Sequence, residues 1–373
     1  MYSKETNCVH NRQQHQGVNT PVYTSTANRY RGYDEILYPR NYNTENQLAI
    51  VDKLCKLEQG EAGMIFSSGT AAIATALFSF LKAGDHVLFS QDIYGGTMKL
   101  VVEEFPKYNI AFDFVPHAAM GNIEQMVKEN TKLIYTETPS NPLLAIVDLE
   151  AIGAIARRKG LLTVVDNTFA TPINQNPIPL GIDMVVHSGT KYLGGHHDLC
   201  FGAVITSHKL KDVIYQSALN YGGSLNGLDC YLIERSLKTL ALRVEKQNAS
   251  AMKLAEVLQV HEQVQKVYYP GLRQHPNHAV AARQMKGGFG GMLSFELKNP
   301  MQTEQFLDKL ELIVPALSLG GVDSTICQPA TSSHASLTEQ ERLEQGITNG
   351  MLRLSVGIEH VDDLARDLTA ALE

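Results

Sequence analysis

The sequence lacks the charge pattern of a protein that binds nucleic acid or a membrane surface. Its 373 residues carry a formal net charge of −7, without a block of like charge. Binding of a phosphate backbone requires clustered Lys and Arg, so no nucleic-acid partner is expected. The uncharged run around AAIATALFSFL is too short to span a bilayer. The first residues, MYSKETNCVHNRQQHQG, are polar and contain no apolar signal segment. We therefore expect no membrane association and a cytoplasmic location.

Cysteine is scarce, and the common nucleotide and metal signatures are missing. The five cysteines contain no CxxC pair, which predicts reduced structural thiols rather than a disulfide framework or a zinc site. The adjacent His196 and His197 lack the helical spacing and the acidic partners of a metal site, so we expect loop histidines and no metal. No GxGxxG follows the first predicted strand and no YxxxK pair occurs, which argues against a nucleotide-binding oxidoreductase.

Three regions are predicted along the chain. Residues 1–45 are polar with little periodicity, which indicates an extended arm. In residues 46–228 short apolar stretches alternate with helical patterns, which predicts a doubly wound α/β domain with a mostly parallel sheet of seven strands. The stretches are GMIFSS, DHVLFS, FDFVP, KLIYTE, LLTVVDN, DMVVHS and GAVITS. Residues 229–373 begin in a long amphipathic stretch that starts at CYLIERS, and GGMLSFEL and MLRLSVGI predict strands of a smaller α+β domain.

Polar residues follow several of the predicted strands, where catalytic groups of such sheets are expected. Ser67-Ser68-Gly69-Thr70 opens a helix, and the turn at 138–142 carries Asn141. Asp166 lies at the end of the fifth stretch with Thr168 just after it, and His187 and Ser188 end the sixth, with Thr190 and Lys191 just after them. Alone, each has an ordinary explanation, such as a helix N-cap or a surface lysine. Together they offer pyridoxal 5′-phosphate (PLP) an amine, a carboxylate and phosphate donors, a set that serves transamination or decarboxylation equally well.

The stretches VVDNTFATP and DMVVHSGTKYLGGHHD closely resemble the signature of the trans-sulfuration (Cys/Met metabolism) PLP enzymes. The resemblance runs nearly end to end and includes YPR at 38–40, SSGTAAI at 67–73, DIYGGT at 92–97, ETPSNP at 137–142, SLKTLALR at 236–243, SLGGVDS at 318–324 and LRLSVGIE at 352–359. It implies the aspartate-aminotransferase-type fold, known as fold type I.

The resemblance also implies a role for each matching residue. Lys191 corresponds to the Schiff-base lysine and acid–base group, and Asp166, supported by Thr168, to the partner of the pyridinium nitrogen. Tyr94 corresponds to the tyrosine that stacks on the cofactor ring and moves a proton at the leaving group. The implied phosphate ligands are Gly69, Thr70, Ser188 and Thr190, joined by Tyr38 and Arg40 from a neighbouring subunit. The implied substrate-binding residues are Arg353, which takes the α-carboxylate, and Asn141, Ser318 and Asp323.

Departures from the family pattern bear on the substrate. Leu37 stands where cystathionine γ-lyases usually carry Glu, and Asp323 replaces the commoner Glu. Gly96 stands where methionine γ-lyases have Cys, which disfavours that activity. We expect a lyase that releases a thiol from cystathionine, or from a related sulfur amino acid, by β- or γ-elimination. The alternative is γ-replacement, as in cystathionine γ-synthase or O-acetylhomoserine sulfhydrylase, and the resemblance further implies a homotetramer built from two dimers. A noncatalytic protein of the same fold is disfavoured, because all the expected positions are filled.

Overall fold

The computed structural model describes residues 2–10, 15–335 and 337–373 of the chain. Two β-sheets organise these residues, and the larger of them contains seven strands. Its strands are β1 (Ala62–Phe66), β2 (His86–Ser90), β3 (Ala111–Val115), β4 (Thr131–Glu137), β5 (Leu162–Asp166), β6 (Met184–Ser188) and β7 (Gly202–Thr206). Each of the seven apolar stretches identified in the sequence forms one of these strands.

The strand order of the larger sheet is β1-β7-β6-β5-β4-β2-β3. β7 runs antiparallel to its neighbours β1 and β6, whereas the other pairs are parallel. The predicted mostly parallel seven-stranded sheet is therefore confirmed. The carboxyl ends of the parallel strands meet along one edge of the sheet, where the loops that carry functional residues are expected.

Helices and loops bury both faces of the larger sheet, which explains the unbroken apolar strands. The helices of this part are α2 (Glu45–Glu58), α3 (Gly69–Phe78), α4 (Gly95–Glu104), α5 (Leu149–Lys159), α6 (Thr171–Asn174) and α7 (His208–Tyr221). Phe89 and Tyr135 belong to one buried cluster, and Leu88 and Ile134 belong to another. Since successive strand residues point to opposite faces, a strand that is covered on both sides needs apolar side chains at consecutive positions.

The smaller sheet has the strand order β10-β11-β12-β9-β8. Its strands are β8 (Val264–Tyr268), β9 (Met292–Leu297), β10 (Val314–Pro315), β11 (Thr325–Cys327) and β12 (Met351–Ser355). The helices of this region are α8 (Gly227–Leu237), α9 (Leu240–Gln259), α10 (His278–Gln284), α11 (Thr303–Lys309), α12 (Glu339–Glu344) and α13 (Val361–Leu372). The prediction of a smaller α+β region after the large sheet is confirmed.

The long amphipathic stretch after residue 229 forms two helices rather than one. α8 ends at Leu237 and α9 begins at Leu240. Arg243 explains the break, because its buried guanidinium donates hydrogen bonds to the backbone carbonyls of Ser236 (3.0 Å) and Tyr192 (2.7 Å). The chain therefore turns at 238–239 and fixes the loop that follows Lys191.

The amino-terminal region is only partly an extended arm. Residues Lys4–Val9 form the helix α1, in which Cys8 is buried. The buried amine of Lys53 donates a 3.0 Å hydrogen bond to the Cys8 carbonyl, which ties α1 to α2. Residues 21–38, in contrast, contain no helix or strand and are exposed.

The predicted boundaries at 45/46 and 228/229 fall at the start of α2 and in the first turn of α8, and they stay predictions. Within the residues that the structure describes, none of the helices combines the length and the apolar composition that a bilayer span requires.

Candidate active site

Functional groups converge at the carboxyl edge of the larger sheet. β4, β5 and β6 end at Glu137, Asp166 and Ser188, and α3 begins at Gly69 shortly after β1. The turn that follows β6 carries Lys191, whose backbone N–H donates to the Ser188 carbonyl. Parallel neighbours in the sheet thus bring together the groups that the sequence analysis selected.

Asp166 is held by its own loop. Its Oδ1 atom accepts hydrogen bonds from the Thr168 backbone N–H at 3.0 Å and from Thr168 Oγ1 at 2.5 Å. Its Oδ2 atom lies 3.4 Å from the hydroxyl of Tyr135 on β4, a weak contact. Burial raises the pKa of Asp166, while the Thr168 hydrogen bonds lower it. Three donors around one carboxyl favour its ionised form, which a pyridinium nitrogen requires.

Lys191 lies half-buried between the two sheets. Its Nζ atom donates a 2.9 Å hydrogen bond to Ser318 Oγ, from the loop before β11. Burial lowers the pKa of Lys191, and the nearby charge of Arg353 lowers it further. A lysine amine with a lowered pKa is more often neutral and is therefore a better nucleophile and base.

The start of α3 and the end of β6 form a compact anion cradle. Ser68 caps α3 by accepting a 3.0 Å hydrogen bond from the Ala71 backbone N–H. For the N–H groups of Gly69 and Thr70, the described residues supply no acceptor. A Cβ atom at Gly69 would lie 2.9 Å from Ser188 Cβ, so glycine allows this close approach. Free N–H groups at the positive end of a helix dipole suit a phosphate.

Thr190, the last predicted phosphate ligand of this turn, makes other contacts. Its hydroxyl donates to the Phe201 carbonyl at 3.3 Å and accepts from the Phe201 N–H at 3.2 Å. These bonds fix the Lys191 turn against the segment that leads into β7. A phosphate contact by the Thr190 hydroxyl therefore stays a prediction.

Arg353 brings the smaller sheet into the site. This buried β12 residue donates from Nη1 to Asn141 Oδ1 at 2.8 Å and from Nη2 to the Ser318 carbonyl at 3.4 Å. Its Nε atom is buried without a hydrogen-bond partner in the described part of the chain. A buried unsatisfied donor of a cation indicates an anionic ligand, which matches the predicted carboxylate site.

Tyr94 precedes α4, and its side chain is half exposed. Its backbone N–H donates a 2.7 Å hydrogen bond to Glu137 Oε2. Gly96 packs against the tyrosine ring, because a Cβ atom there would lie 2.4 Å from Tyr94 Cε1. The ring conformation observed here therefore requires glycine at position 96.

Sequence reasoning missed three buried residues of the site: Glu137, Tyr135 and His334. Glu137 ends a predicted strand, so the rule that selected Asp166 at the end of β5 could have found it. His334 is buried near the Asn141 backbone, and its Nδ1 atom lies 2.9 Å from the hydroxyl oxygen of Ser333. Burial, with a contribution from the Arg353 charge, lowers the pKa of His334 to about 4. Nothing in the local sequence distinguishes this histidine from those in exposed loops.

The structure does not bring every predicted residue to the site. Tyr38 and Arg40 are exposed, and Arg40 donates a 2.7 Å hydrogen bond to the Leu219 carbonyl of its own chain. Asp323 is also exposed and makes no hydrogen bond or ion pair to another described residue. Their predicted roles stay predictions.

The comparison with known families agrees with this geometry. A sequence profile of the family described as "Cys/Met metabolism PLP-dependent enzyme" matches residues 5–373. The chain belongs to this family.

Relatives with similar sequences include members named for different reactions. The chain is 44% identical over 360 residues to a cystathionine beta-lyase of Lactococcus lactis subsp. cremoris, which covers 95% of this chain and 94% of that protein. It is 43% identical over 363 residues to a cystathionine gamma-lyase of Bacillus subtilis, with the same coverage. The solved structure of cystathionine gamma-lyase from Lactobacillus plantarum, complexed with L-serine, superposes with a TM-score of 0.95 at 37% identity and covers 99% of this chain and 98% of that one. The predicted fold type I architecture is thereby confirmed.

The residues of this family member fit the PLP cofactor. Where Gly69 packs against Ser188, free backbone N–H groups can bind a phosphate. The Oδ2 atom of Asp166 has only one weak donor beside it and can accept a hydrogen bond from the pyridinium nitrogen. Lys191 supplies an amine, and the unpartnered Arg353 Nε supplies a donor for a carboxylate. Each functional part of an amino-acid-bound PLP thus has a counterpart at this edge of the sheet.

Proposed function

We propose that this protein is a PLP-dependent C–S lyase of sulfur amino-acid metabolism. It cleaves cystathionine, or a related thioether or thiol amino acid, by β- or γ-elimination. The observation that carries the proposal is the placement of Lys191 and Arg353 on the two sides of Ser318. Lys191 bonds the Ser318 hydroxyl, and Arg353 bonds its carbonyl, so one loop sets the distance between amine and guanidinium.

The positive charge of Arg353 is the first feature that would bind an amino-acid substrate. Arg353 is buried and presents an unpartnered N–H, and a guanidinium suits a carboxylate better than an ammonium does. Asn141 holds the guanidinium through Oδ1. An amino acid bound by its α-carboxylate would therefore be oriented with its Cα near Lys191.

Bound PLP supplies an electron sink that stabilises negative charge at the substrate carbon. Asp166 supports this by keeping a positive charge on the ring nitrogen favourable, and Thr168 holds the carboxylate in place. The backbone amides of Gly69 and Thr70, together with Ser188, would hold the phosphate group.

Proton transfer falls to two side chains. Burial lowers the pKa of Lys191, so its amine can accept the proton from the substrate Cα. The same amine then delivers protons to other atoms of the substrate. Ser318 orients the amine for this transfer. Tyr94, whose half-exposed side chain lies at the start of α4, donates a proton to the leaving sulfur. General acid–base catalysis of this kind contributes about 10²–10⁴-fold.

The second candidate is γ-replacement, in which an incoming thiol takes the place of the leaving group. Leu37 supports broad use of the distal site, because an apolar side chain cannot pair with the distal ammonium of cystathionine. Cleavage of methionine is less favoured, because a cysteine at position 96 is absent and Gly96 packs directly on Tyr94.

We further propose that the active protein is a cytoplasmic homotetramer made of two dimers, in which Tyr38 and Arg40 of one subunit reach the cofactor phosphate of its partner. The exposure of residues 21–38 supports this, since the segment includes the exposed side chains of Tyr23, Tyr30 and Tyr33. Exposed aromatic residues in a segment without its own core favour packing on another subunit.

Product analysis tests the proposed reaction. The purified protein with PLP is incubated in turn with cystathionine, cysteine, homocysteine, methionine and O-acetylhomoserine plus a thiol. β-Elimination of cystathionine gives homocysteine, pyruvate and ammonia, whereas γ-elimination gives cysteine, 2-oxobutyrate and ammonia. A thioether from O-acetylhomoserine, with no keto acid from cystathionine, would instead establish γ-replacement. Lys191→Ala serves as the control for uncatalysed release.

A further inference from the structure

Glu137 is a buried carboxyl group that the proposed mechanism leaves without a task. It ends β4, and its side chain is 4% exposed. Its Oε2 atom accepts the 2.7 Å hydrogen bond from the Tyr94 backbone N–H. The described residues place no Lys, Arg or His within ion-pair distance of it. Burying a charged carboxylate without a cation costs free energy, so the presence of Glu137 in the site requires an explanation.

The neighbours of Glu137 are mostly acidic or neutral. Asp166 on β5 is its register partner, with the two Cα atoms paired across the parallel strands. Tyr135 on β4 lies on the same face as Glu137, two residues earlier, and Asp92 precedes α4. The charge of Arg353 on β12 lowers the pKa of Glu137, but by less than burial and the Asp166 charge raise it.

Two neighbouring buried carboxyls do not ionise together easily. Asp166 has three donors around it, two from Thr168 and one from Tyr135. Glu137 has the single backbone donor of Tyr94. The negative charge is therefore stabilised better on Asp166, and the proton belongs on Glu137. Burial and the Asp166 charge raise the pKa of Glu137 well above its usual value, in agreement with this assignment.

We propose that Glu137 is a positioning residue that, as the neutral member of the Glu137–Asp166 pair, fixes the backbone of Tyr94 and so sets the tyrosine ring beside the cofactor. The inference rests on the proposed function, because it assigns Tyr94 to the PLP ring.

The start of α4 shows why Tyr94 needs this support. The N–H groups at the start of a helix have no acceptor within the helix, and Glu137 supplies one from the neighbouring strand. The Tyr94 ring is half exposed and packs on Gly96, which has no side chain to hold it. The hydrogen bond to Glu137 therefore anchors the residue through its backbone. A neutral carboxyl does this without placing a second negative charge beside Asp166.

Two variants of matched shape separate the hydrogen bond from the charge. Glu137→Gln keeps an acceptor oxygen and is neutral, whereas Glu137→Met has a similar length but offers no such oxygen. We measure the PLP dissociation constant of each apoprotein and the circular dichroism that the protein induces in the bound cofactor. Neither measurement requires a substrate, so both still test the role of Glu137 if the proposed lyase activity is not found.

Glu137→Gln is expected to match the unaltered protein within about twofold in PLP affinity and to keep its induced circular dichroism. Glu137→Met is expected to weaken PLP binding by about tenfold, the effect of one lost hydrogen bond in a buried site, and to change the circular dichroism. In a Tyr94→Ala background the same Glu137→Met change should have little further effect on PLP binding, because the ring whose position the hydrogen bond sets is already absent. Tyr94→Ala alone is the reference for that cycle.

An equal loss in Glu137→Gln and Glu137→Met would show that the charge of Glu137 is needed and would overturn the proposal. Additive losses in the Tyr94→Ala background would also overturn it, because Glu137 would then act without Tyr94. Should Glu137→Met fail to fold, infrared difference spectra of the unaltered protein against Glu137→Gln decide the protonation state. The carbonyl stretch of a protonated carboxyl, lost in Glu137→Gln at neutral pH, supports the proposal, and a carboxylate signal in its place refutes it.

Discussion

The amine of Lys191 donates its hydrogen bond to the hydroxyl of Ser318, a residue that the backbone holds in a left-handed conformation. The distance from Nζ to Oγ is 2.9 Å, and Ser318 has a φ of 78°. Residues other than glycine adopt this region at a cost of about 1–3 kcal/mol. The loop therefore holds the Ser318 hydroxyl beside Lys191, although glycine at position 318 would adopt this backbone conformation more easily.

Ser318→Ala and Ser318→Gly should both lower kcat/KM by about tenfold, because each removes the hydroxyl that orients Lys191. Only the glycine variant relieves the backbone, so it should unfold at a higher temperature than the alanine variant, with a difference of about 1 kcal/mol in the free energy of unfolding. Steady-state kinetics and thermal unfolding provide the two measurements. Full activity in both variants would show that the Ser318 hydroxyl has no part in orienting the amine.

Lys191 is predicted to hold the cofactor covalently. The purified protein should be yellow, and reduction with borohydride should fix the cofactor to the peptide that contains Lys191. Lys191→Ala should lose this attachment and nearly all activity, while the Gly69–Ser188 cradle still binds free PLP. Mass spectrometry of the reduced, digested protein locates the label. A label on another lysine would refute the assignment.

Leu37 is predicted to weaken recognition of the distal ammonium of cystathionine. Its side chain is exposed on the arm, and Leu37→Glu should raise the kcat/KM for cystathionine relative to cysteine by up to about fivefold, the effect of one exposed ion pair. Ile36→Glu, which adds the same charge at the neighbouring exposed position, is the matched control. Unaltered relative kcat/KM values in Leu37→Glu would show that position 37 does not contact the distal group.

Arg40 is predicted to act in the site of a partner subunit. Arg40→Ala and Lys191→Ala proteins should each be nearly inactive, but hybrid dimers contain one site with both residues intact. Random mixing makes half of the dimers hybrids with one working site of two, so about one quarter of the full activity should return. The mixture is unfolded, refolded together and assayed, with each variant refolded alone as the control. Absence of recovery in verified hybrids would place Arg40 in the site of its own chain.

His334 should make the stability of the protein depend on pH. Its folded pKa of about 4 lies below the usual 6.5, so the unfolded chain binds a proton more readily between these values. The contribution of neutral His334 is fully present above pH 6.5 and is lost as the pH falls toward 4, by up to about 3 kcal/mol. Urea unfolding at pH 7.5 and pH 4.5 should show a smaller loss for His334→Gln than for the unaltered protein. His275, which has a pKa lowered to the same value, is present in both proteins, so the difference isolates His334. Equal losses would mean that His334 does not bind its proton in this range.

The sequence predicts those parts of the fold in which the pattern of apolar residues reflects how the element is buried. β4 and β5 are buried on both faces, so KLIYTE and LLTVVDN indicate strands without further information. β10 and β11 have two and three residues, too few for a periodic pattern. β11 pairs with β12, which lies later in the chain, and β10 pairs with β11, so neither pairing is visible in the local sequence.

The residues of the candidate site also differ in whether the sequence indicates their position. Asp166 and Lys191 follow strands of one sheet, so the position of each in the sequence indicates the shared edge. The pairing of Arg353 with Asn141 joins residues 212 positions apart, and the sequence indicated it only through the family resemblance. Glu137 ends a predicted strand as Asp166 does, so its position in the sequence could have indicated it, but its hydrogen bond with the backbone N–H of Tyr94 leaves no signal in the sequence.

The anchoring of Arg353 has a consequence for inhibitor design. A free arginine side chain loses rotational freedom when it captures a ligand, which costs about 0.5–1.5 kcal/mol. Arg353 is already held at both terminal nitrogens, by Asn141 and by the Ser318 carbonyl, so this loss occurs during folding. The guanidinium is a rigid receptor, and affinity for it should follow the angle and spacing of the carboxylate. Rigid amino-acid analogues that match its orientation should therefore outperform flexible ones of equal charge.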